Sequence, residues 1–443
     1  IDCRYQEGKQ TKENQTWQDI TQEQPARGEF TWPNRGTDAE LKSFEFQSTR
    51  RIDCHPPDSK RVAEAVESLR SQYVTMRLPS YLEGYDRLVW KQIIETQILP
   101  QIKPDACPGT PYAKAFQTNA EFMLYATPVL VKTILDRIEL ILAWDGKFLD
   151  NLDLVEKCLV DVVRLFVKNE PHNKEKVAQQ RLRLIMCVSI VDKAIEMLVH
   201  GPQNKNEIAN WDHIPSKPGM GFTDRDTRRF YQRFDQAAKL RKKAAADVSG
   251  WDWSVQLWLL QADTDMRKML YVTTPEWLCS FMDKLVTLSA YSVYQLSNGQ
   301  LLVASKPGIM NSGRANTSSS NSRMRALVAC LVGSDYVDTM GDDCLEDYIE
   351  DAPQRYRDLG FRLKAYNAVD SGGFEFCSHH YSDFQAYGIN ITKGLMKLVH
   401  HEFPFQWSKR LLMLQFEDDF SGNPDYQGVL DLLVRVGWYA KTY

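Results

Sequence analysis

Between residue 58 and about residue 199, apolar residues recur at three- and four-residue spacing in "RVAEAVESLRSQY", "LVWKQIIETQIL" and "PVLVKTILDRIELILAW", which predicts a helical region. One polar, basic stretch, "VKNEPHNKEKVAQQRLRLI", interrupts it. Beyond Ala244 the period changes. Short strand-like runs at 244–248, 301–304, 336–340, 361–364 and 374–377 alternate with longer helical ones, the pattern of an α+β unit. The tail from Thr392 is helical again, in "GLMKLVHH" and "YQGVLDLLVRVGWYA", and is short enough for a small terminal domain. Residues 1–60 are instead rich in Gln, Glu, Lys, Asn and Thr, with isolated Trp17, Phe30 and Trp32. That composition predicts an extended arm, pinned at intervals and without a core of its own.

At 443 residues the chain has room for roughly three domain-sized units. Its hydrophobic fraction of 43% and charged fraction of 25% are those of an ordinary folded protein. Apolar runs such as 125–144 are interrupted by charges (Lys132, Asp136, Arg137, Glu139), so no transmembrane segment is expected. Nine cysteines, an odd number with no Cys-x-x-Cys pair, argue against a disulfide framework or a zinc ribbon and for reduced thiols in a cytosolic setting. The first residues, from Ile1, lack a signal-peptide pattern, and either a trimmed chain or a product cut from a polyprotein is expected. A net charge of −4 gives no hint of a nucleic-acid partner, but basic residues cluster at 225–243 around Phe230, Tyr231 and Phe234. That cluster reads either as a phosphate-tracking wall or as a solvated helix with charged faces.

Candidate chemistry begins at "YVDTMGDDCLED", residues 336–347, which predicts a strand, turn, strand hairpin with Asp342 and Asp343 at the tip and Gly341 supplying backbone freedom. Two carboxylates a few ångströms apart repel, so they persist most readily where a divalent cation neutralises them. A second acidic site ends the small-residue run in "AAADVSGWDWS", where Asp247 is followed five positions later by Asp252. Small residues let a strand sit in a crowded sheet, and Asp247 at its end could meet Asp342 from an adjacent hairpin. The two segments would then cage two Mg2+ ions about 3.5–4 Å apart, the geometry of phosphoryl transfer. In "SGRANTSSSNSRMRALVACLV", 312–332, a loop with Ser312 and Gly313 leads into a helix on which Thr317 and Asn321 share a face. With Asp252 they could surround a ribose and read its 2′-OH. The basic stretch holds Lys168, Lys174, Lys176, Arg181 and Arg183, spacings that suit a triphosphate, and "RLRLI" predicts arginines on one face of a strand.

In their order along the chain these segments resemble the motifs of positive-strand viral RNA-dependent RNA polymerases, and those of sobemovirus and polerovirus replicases in particular. The resemblance covers about residues 168–381. "KNEPHNKEKVAQQRLRLI" is similar to motif F, "DVSGWD" to motif A, "SGRANTSSSN" to motif B and "MGDD" to motif C. It implies a right-hand fold of the α+β class, with fingers, a palm on an antiparallel sheet, and a thumb. The expected boundaries are an arm at 1–60, fingers at 61–185 including the basic loop 168–185, and a palm segment at 186–215. A fingers insertion at 216–243, palm at 244–390 and thumb at 391–443 complete the chain.

By the resemblance Asp247 and Asp342, with Asp343 nearby, bind Mg2+, with Mn2+ as an alternative. Asp252, Ser312, Gly313, Thr317 and Asn321 read the incoming ribose, and Lys168, Lys176, Arg181 and Arg183 line the triphosphate channel. "RDLGFRLKAY" looks like motif D, a helix ending at Gly360 and then a strand, which makes Lys364 a candidate proton donor to pyrophosphate. "FEFCSHHY" resembles motif E, a hairpin supporting the growing strand. His172 stands where many relatives carry arginine, so one phosphate contact would be weaker or pH-dependent. Cys377, His379 and His380, with Cys54 and His55 far upstream, suggest zinc superficially, but histidines on a strand beside nucleic acid explain them more simply.

The implied activity is template-directed RNA synthesis, and the implied partners are the RNA template, the nascent RNA, NTPs, a genome-linked viral protein and other viral or host replication proteins. Those other viral or host proteins would hold the chain at membrane-associated complexes in the host cytoplasm. Two other readings fit some of these residues. A reverse transcriptase shares the metal aspartates but normally has an aromatic-x-Asp-Asp motif and no pair like Asp252 and Asn321. A non-catalytic RNA-binding protein would bind RNA without polymerising, its acidic turn holding only a stabilising cation.

Overall fold

The run "KAAADV" becomes the strand Lys243–Val248, and its position explains its composition. It is an inner strand of a four-stranded antiparallel sheet, flanked by Leu363–Val369 on one side and by the hairpin Asp343–Asp347 and Val337–Met340 on the other. Ala244 and Ala246 are buried, and Arg325 of the helix Thr317–Val332 donates to the Ala246 carbonyl at 3.3 Å. Larger side chains would push that helix off the sheet. The structure is a computed structural model, and it describes residues 10–403 and 406–440.

Two cores sandwich the central sheet. Cys344 joins Met324, Leu327 and Val328 of Thr317–Val332, with Leu259, Met266, Val66 and Leu69 from the helices Leu257–Lys268 and Ser59–Arg70. Its neighbour Leu345 joins Phe230, Phe234, Phe374 and Tyr381 in the other core, as the period-two alternation of a strand requires. Phe230 and Phe234 belong to the helix Asp224–Leu240, so the segment 216–243, expected as a fingers insertion, sends its apolar stripe into the core under this sheet. Five of its basic residues are held in ion pairs. Arg229 pairs with Asp212, Arg233 with Asp338, Lys239 with Asp235, Arg241 with Asp335 and Lys243 with Asp347.

The arm at 1–60 is corrected by the structure. Its described part forms the helices Gln15–Glu23 and Thr37–Ser48 rather than an extended chain. Asn14 caps the first, accepting from the Trp17 N–H at 2.9 Å, and Trp17 and Ile20, three apart, put one apolar stripe into the C-terminal core. That core is formed by the helices Ile391–Val399, Gln406–Phe420 and Tyr426–Arg435. Phe30 and Thr31 then pair with Asn173 and His172 of the basic loop, and Phe44 enters the core of a second sheet.

This second sheet has the order Leu184–Cys187, Val163–Val167, Val293–Gln295, Leu301–Val303. Its first strand begins at Leu184, so Arg181 and Arg183 precede the strand on which "RLRLI" had placed them. The strand expected at 361–364 runs instead over Leu363–Val369, while Phe361 is fully buried and stacks on Trp251. At the sheet edge most of that strand is half-exposed or exposed, which erases the alternation that would have marked it. The expected helical region holds the helices Ser59–Arg70, Arg87–Ile93, Asn119–Ala143, Asn151–Glu156 and Ile190–Ala209. Among the described residues no helix is long and apolar enough to cross a membrane. Cys3 and Tyr443 lie outside the described residues.

Candidate active site

Met340 pairs with Asp343, which leaves Gly341 and Asp342 as the two-residue loop of the hairpin. Gly341 has φ +63°, a conformation that strains any residue with a Cβ. Asp342 alone is therefore at the tip, and Asp343 opens the returning strand, a correction to the expected pair. The Gly341 N–H donates to Ser322 Oγ at 3.0 Å and Thr339 Oγ1 donates to the Ser322 carbonyl at 2.8 Å, so the hairpin is tied to the helix beside Asn321. Ala246 pairs with Cys344, which brings Asp247, the next residue, alongside the loop.

The carboxylates feel one another. Asp343 reaches the solvent of the cleft, yet the protein packed around it, then the charges of Asp342 and Asp247, push its carboxyl up to about 6. Opposing them, the Cys377 amide at the tip of the hairpin Phe374–Phe376 and His379–Ser382 donates to Asp343. Lys364, on the neighbouring strand, places Nζ 2.8 Å from Asp247 Oδ2. Among the described residues no three Asp, Glu, His or Cys side chains converge on one point at metal-ligand spacing.

Asp252 and Asn321 meet as expected. Asn321 Nδ2 donates to Asp252 Oδ1 at 2.8 Å, and Trp251 Nε1 donates to Asn321 Oδ1 at 3.0 Å, which fixes the orientation of the amide. Burial pushes the Asp252 carboxyl up to about 7; the Asn321 hydrogen bond opposes this and the Asp342 charge adds to it. Raised carboxyl values have a consequence for stability. The native state holds protons on Asp252 and Asp343 that the unfolded chain has lost, so stability falls as pH rises from about 4 to about 7. Without divalent cations the thermal midpoint is expected to rise as pH is lowered from 8 to about 5.5. At pH 8, Mg2+ should raise it, through about 1.4 kcal/mol of added stability at ten times the dissociation constant, and should not do so in Asp342→Ala. Calorimetry with EDTA or Mg2+ reads both.

Other expected ribose contacts serve the loop itself. Thr317 Oγ1 donates within the loop, to the Asn311 carbonyl at 3.0 Å and the Arg314 carbonyl at 3.1 Å. Ser312 Oγ accepts from the Met186 N–H at 3.2 Å and keeps its own hydrogen. At Gly313 a Cβ would stand 2.2 Å from the Met186 carbonyl oxygen, so close packing requires glycine there.

The basic loop faces these carboxylates. The charge of Arg183 acts on Asp252, and that of Lys364 acts on Lys176, linking the loop to both acidic segments. Arg181 packs over the Phe46 ring, with Arg181 Nη2 3.8 Å from Glu175. His172 is buried and makes no phosphate contact: Nδ1 donates to the Glu170 carbonyl at 2.7 Å and Nε2 accepts from the Arg183 N–H at 3.1 Å. Burial lowers its pKa, consistent with a neutral ring. The sequence reading missed Glu170, a buried carboxylate ringed by Lys168, Arg183, Lys393 and Lys397 at 3.1–3.6 Å. Burial raises its pKa, but the four cations outweigh burial and hold it at about 2. Two of those lysines come from "ITKGLMKLV", where their i, i+4 spacing was the only signal. Zinc finds no support either: His379 stacks on Phe222 and pairs with Asp419 of the C-terminal helices at 2.8 Å.

An antiparallel sheet carrying an acidic hairpin, faced by a basic loop and flanked by helical layers, defines the right-hand polymerase class. The same fold is found in a sicinivirus RNA-dependent RNA polymerase, with a TM-score of 0.65 over 90% of this chain and 85% of that one, at 15% identity. Residues 101–400 match the family model described as viral RNA-directed RNA polymerase, and the chain belongs to that family. It is 36% identical over 370 residues to the replicase polyprotein P2AB of Cocksfoot mottle virus, covering 80% of this chain and 39% of that protein. The P2AB polyprotein of Southern cowpea mosaic virus is 36% identical over 85% of this chain and 40% of its own length. Protein P1-P2 of Potato leafroll virus is 34% identical over 84% and 36%. The chain thus spans about two fifths of the length of these relatives, and the resemblance to sobemovirus and polerovirus replicases is borne out.

Proposed function

We propose that this chain copies RNA, transferring nucleoside monophosphates from NTPs to an RNA 3′-OH with release of pyrophosphate. The observation that carries this reading is the meeting of Asp247, Asp342 and Asp343 with the Asp252–Asn321 pair and the basic loop on one side of the central sheet.

The residues fit a divalent cation. Asp247, on a strand, and Asp342, on the loop of the neighbouring hairpin, are oxygen donors, and Asp247 already holds an ammonium group at 2.8 Å. Mg2+ bound there supplies activation of the attacking hydroxyl and neutralisation of the leaving pyrophosphate. Lys168, Lys176 and Arg183 draw in the triphosphate and balance its charge. Asp252 keeps Oδ2, and Asn321 one amide hydrogen, without a protein partner among the described residues, so the pair presents one acceptor and one donor to a ribose hydroxyl. Lys364, drawn from Asp247 as charge builds on the pyrophosphate, gives it a proton.

Asn321→Ala should reduce the preference for ribo- over deoxynucleotides about 10- to 100-fold, the effect of about 1–3 kcal/mol for an unmet polar group. Competition between UTP and dTTP on a poly(A) template measures it, and an unchanged ratio would remove Asn321 from ribose reading. Synthesis on that template should need Mg2+ and stop with EDTA; RNA binding without any incorporation would favour a non-catalytic protein. We place attachment to membranes in other viral or host proteins, and a genome-linked protein in the role of primer.

A further inference from the structure

Outside the acidic cleft, two cysteines far apart in sequence stand together. Cys107 lies in the segment 106–110, which packs flush on the chain after the strand Leu184–Cys187. Ile190 N–H donates to the Pro108 carbonyl at 2.8 Å, and a Cβ on Gly109 would stand 2.7 Å from Ser189 Cα. The Cys187 thiol reaches the Cys107 carbonyl at 3.7 Å. The Cys107 sulfur accepts from the Gly109 N–H and from Arg164 Nη1, each at 3.5 Å. Arg164 sits directly opposite Cys187 in the strand pairing, so guanidinium and both thiols converge by register. Both cysteines are unbridged.

We propose that Cys107 and Cys187 form a hydroperoxide-reactive thiol pair that closes to a disulfide beside the Ser312–Gly313 loop. Two donors, the Gly109 N–H and the Arg164 guanidinium, stabilise negative charge on Cys107, the arrangement that makes a thiol nucleophilic. Its titration is held at about 6, chiefly by the Cys187 hydrogen bond, while Cys187, buried, keeps its proton. The Cys107 thiolate attacks one oxygen of hydrogen peroxide, the O–O bond breaks, and hydroxide leaves to become water, giving a sulfenic acid at Cys107. Cys187 then loses its proton and attacks that sulfur, and hydroxide leaves as a second water. Two thiols are oxidised by two electrons, and one peroxide is reduced to two waters. The chain segments are already in contact, so the bond needs little backbone movement.

The bridge reaches the active site through one residue. Met186, next to Cys187, holds the loop by its N–H to Ser312 Oγ and by its carbonyl against Gly313. Fixing Cys187 to the 106–110 segment alters the strand on which that loop rests.

The test treats the folded chain with hydrogen peroxide, blocks remaining thiols, and maps peptides. The expected product is a Cys107–Cys187 linked peptide with a loss of about 2 Da, formed before the exposed Cys158 is modified, together with loss of RNA synthesis that dithiothreitol reverses. Cys107→Ser and Cys187→Ser should each keep basal synthesis and resist peroxide. Absence of the linked peptide overturns the pair; a linked peptide with unchanged synthesis overturns the switch. Only the effect on synthesis rests on the polymerase reading, and the mass measurement stands apart from it.

Discussion

Asp247→Ala and Asp342→Ala are each expected to lower template-directed incorporation about 1,000-fold or more, with little change in thermal midpoint. Each removes a donor to cations that contribute several kcal/mol to the transition state, and about 1.4 kcal/mol corresponds to a factor of ten in rate. Folding should be spared, because Asp342 is exposed at the hairpin tip and the ion-pair partner of Asp247 is the exposed Lys364. Removing Asp342 also relieves the repulsion that raises Asp252 and Asp343. Single-turnover extension of a primed RNA, with unfolding followed in parallel, separates the two effects. Incorporation within tenfold of the unaltered chain in both variants would rule out the metal-carrying roles.

Asp338→Ala is expected to act the other way, through the fold. Asp338 is fully buried in the first strand of the same hairpin and accepts from Lys217 Nζ and Arg233 Nε, each at 3.0 Å, and from the Tyr336 hydroxyl. Lys217 is fully buried too, and burial already lowers its ammonium to about 8 in spite of Asp338. Taking one partner from such a pair leaves an uncompensated buried charge, a loss of about 3–5 kcal/mol. The variant should regain stability as pH rises, because native Lys217, neutral, holds fewer protons than the unfolded chain. Urea titrations at pH 7 and 9 measure both, and a loss under about 1 kcal/mol would contradict the assignment. Catalysis would suffer as well, since the Lys217 N–H donates to the Thr339 carbonyl at 2.7 Å and so holds the hairpin in place.

Where chemistry and geometry share a short segment, the chain was legible. The hairpin at Asp342, the alanines before Asp247 and the contact of Asn321 with Asp252 each follow from residues whose type is dictated by crowding or charge. Legibility failed where a residue answers to a partner far along the chain. Glu170 stands among lysines in "KNEPHNKEK" and looks like one solvated charge, yet its role depends on Lys393 and Lys397, more than 200 positions later. Thr317 seemed to share a ligand-facing surface with Asn321, but its hydroxyl closes the preceding turn. The N-terminal helices were hidden by composition, although Asn14, Trp17 and Ile20 already spelled a cap and a stripe. A polar sequence folds there because each helix borrows the core of another part of the molecule.

Anomalous diffraction from crystals soaked in Mn2+ with an NTP and a 3′-deoxy-terminated RNA reads the acidic site itself. Manganese peaks are expected on the carboxylates of Asp247 and Asp342, with Lys364 displaced from Asp247 toward the phosphates. Peaks absent from both aspartates, with the NTP bound elsewhere, would contradict the assignment of this hairpin as the centre of nucleotidyl transfer.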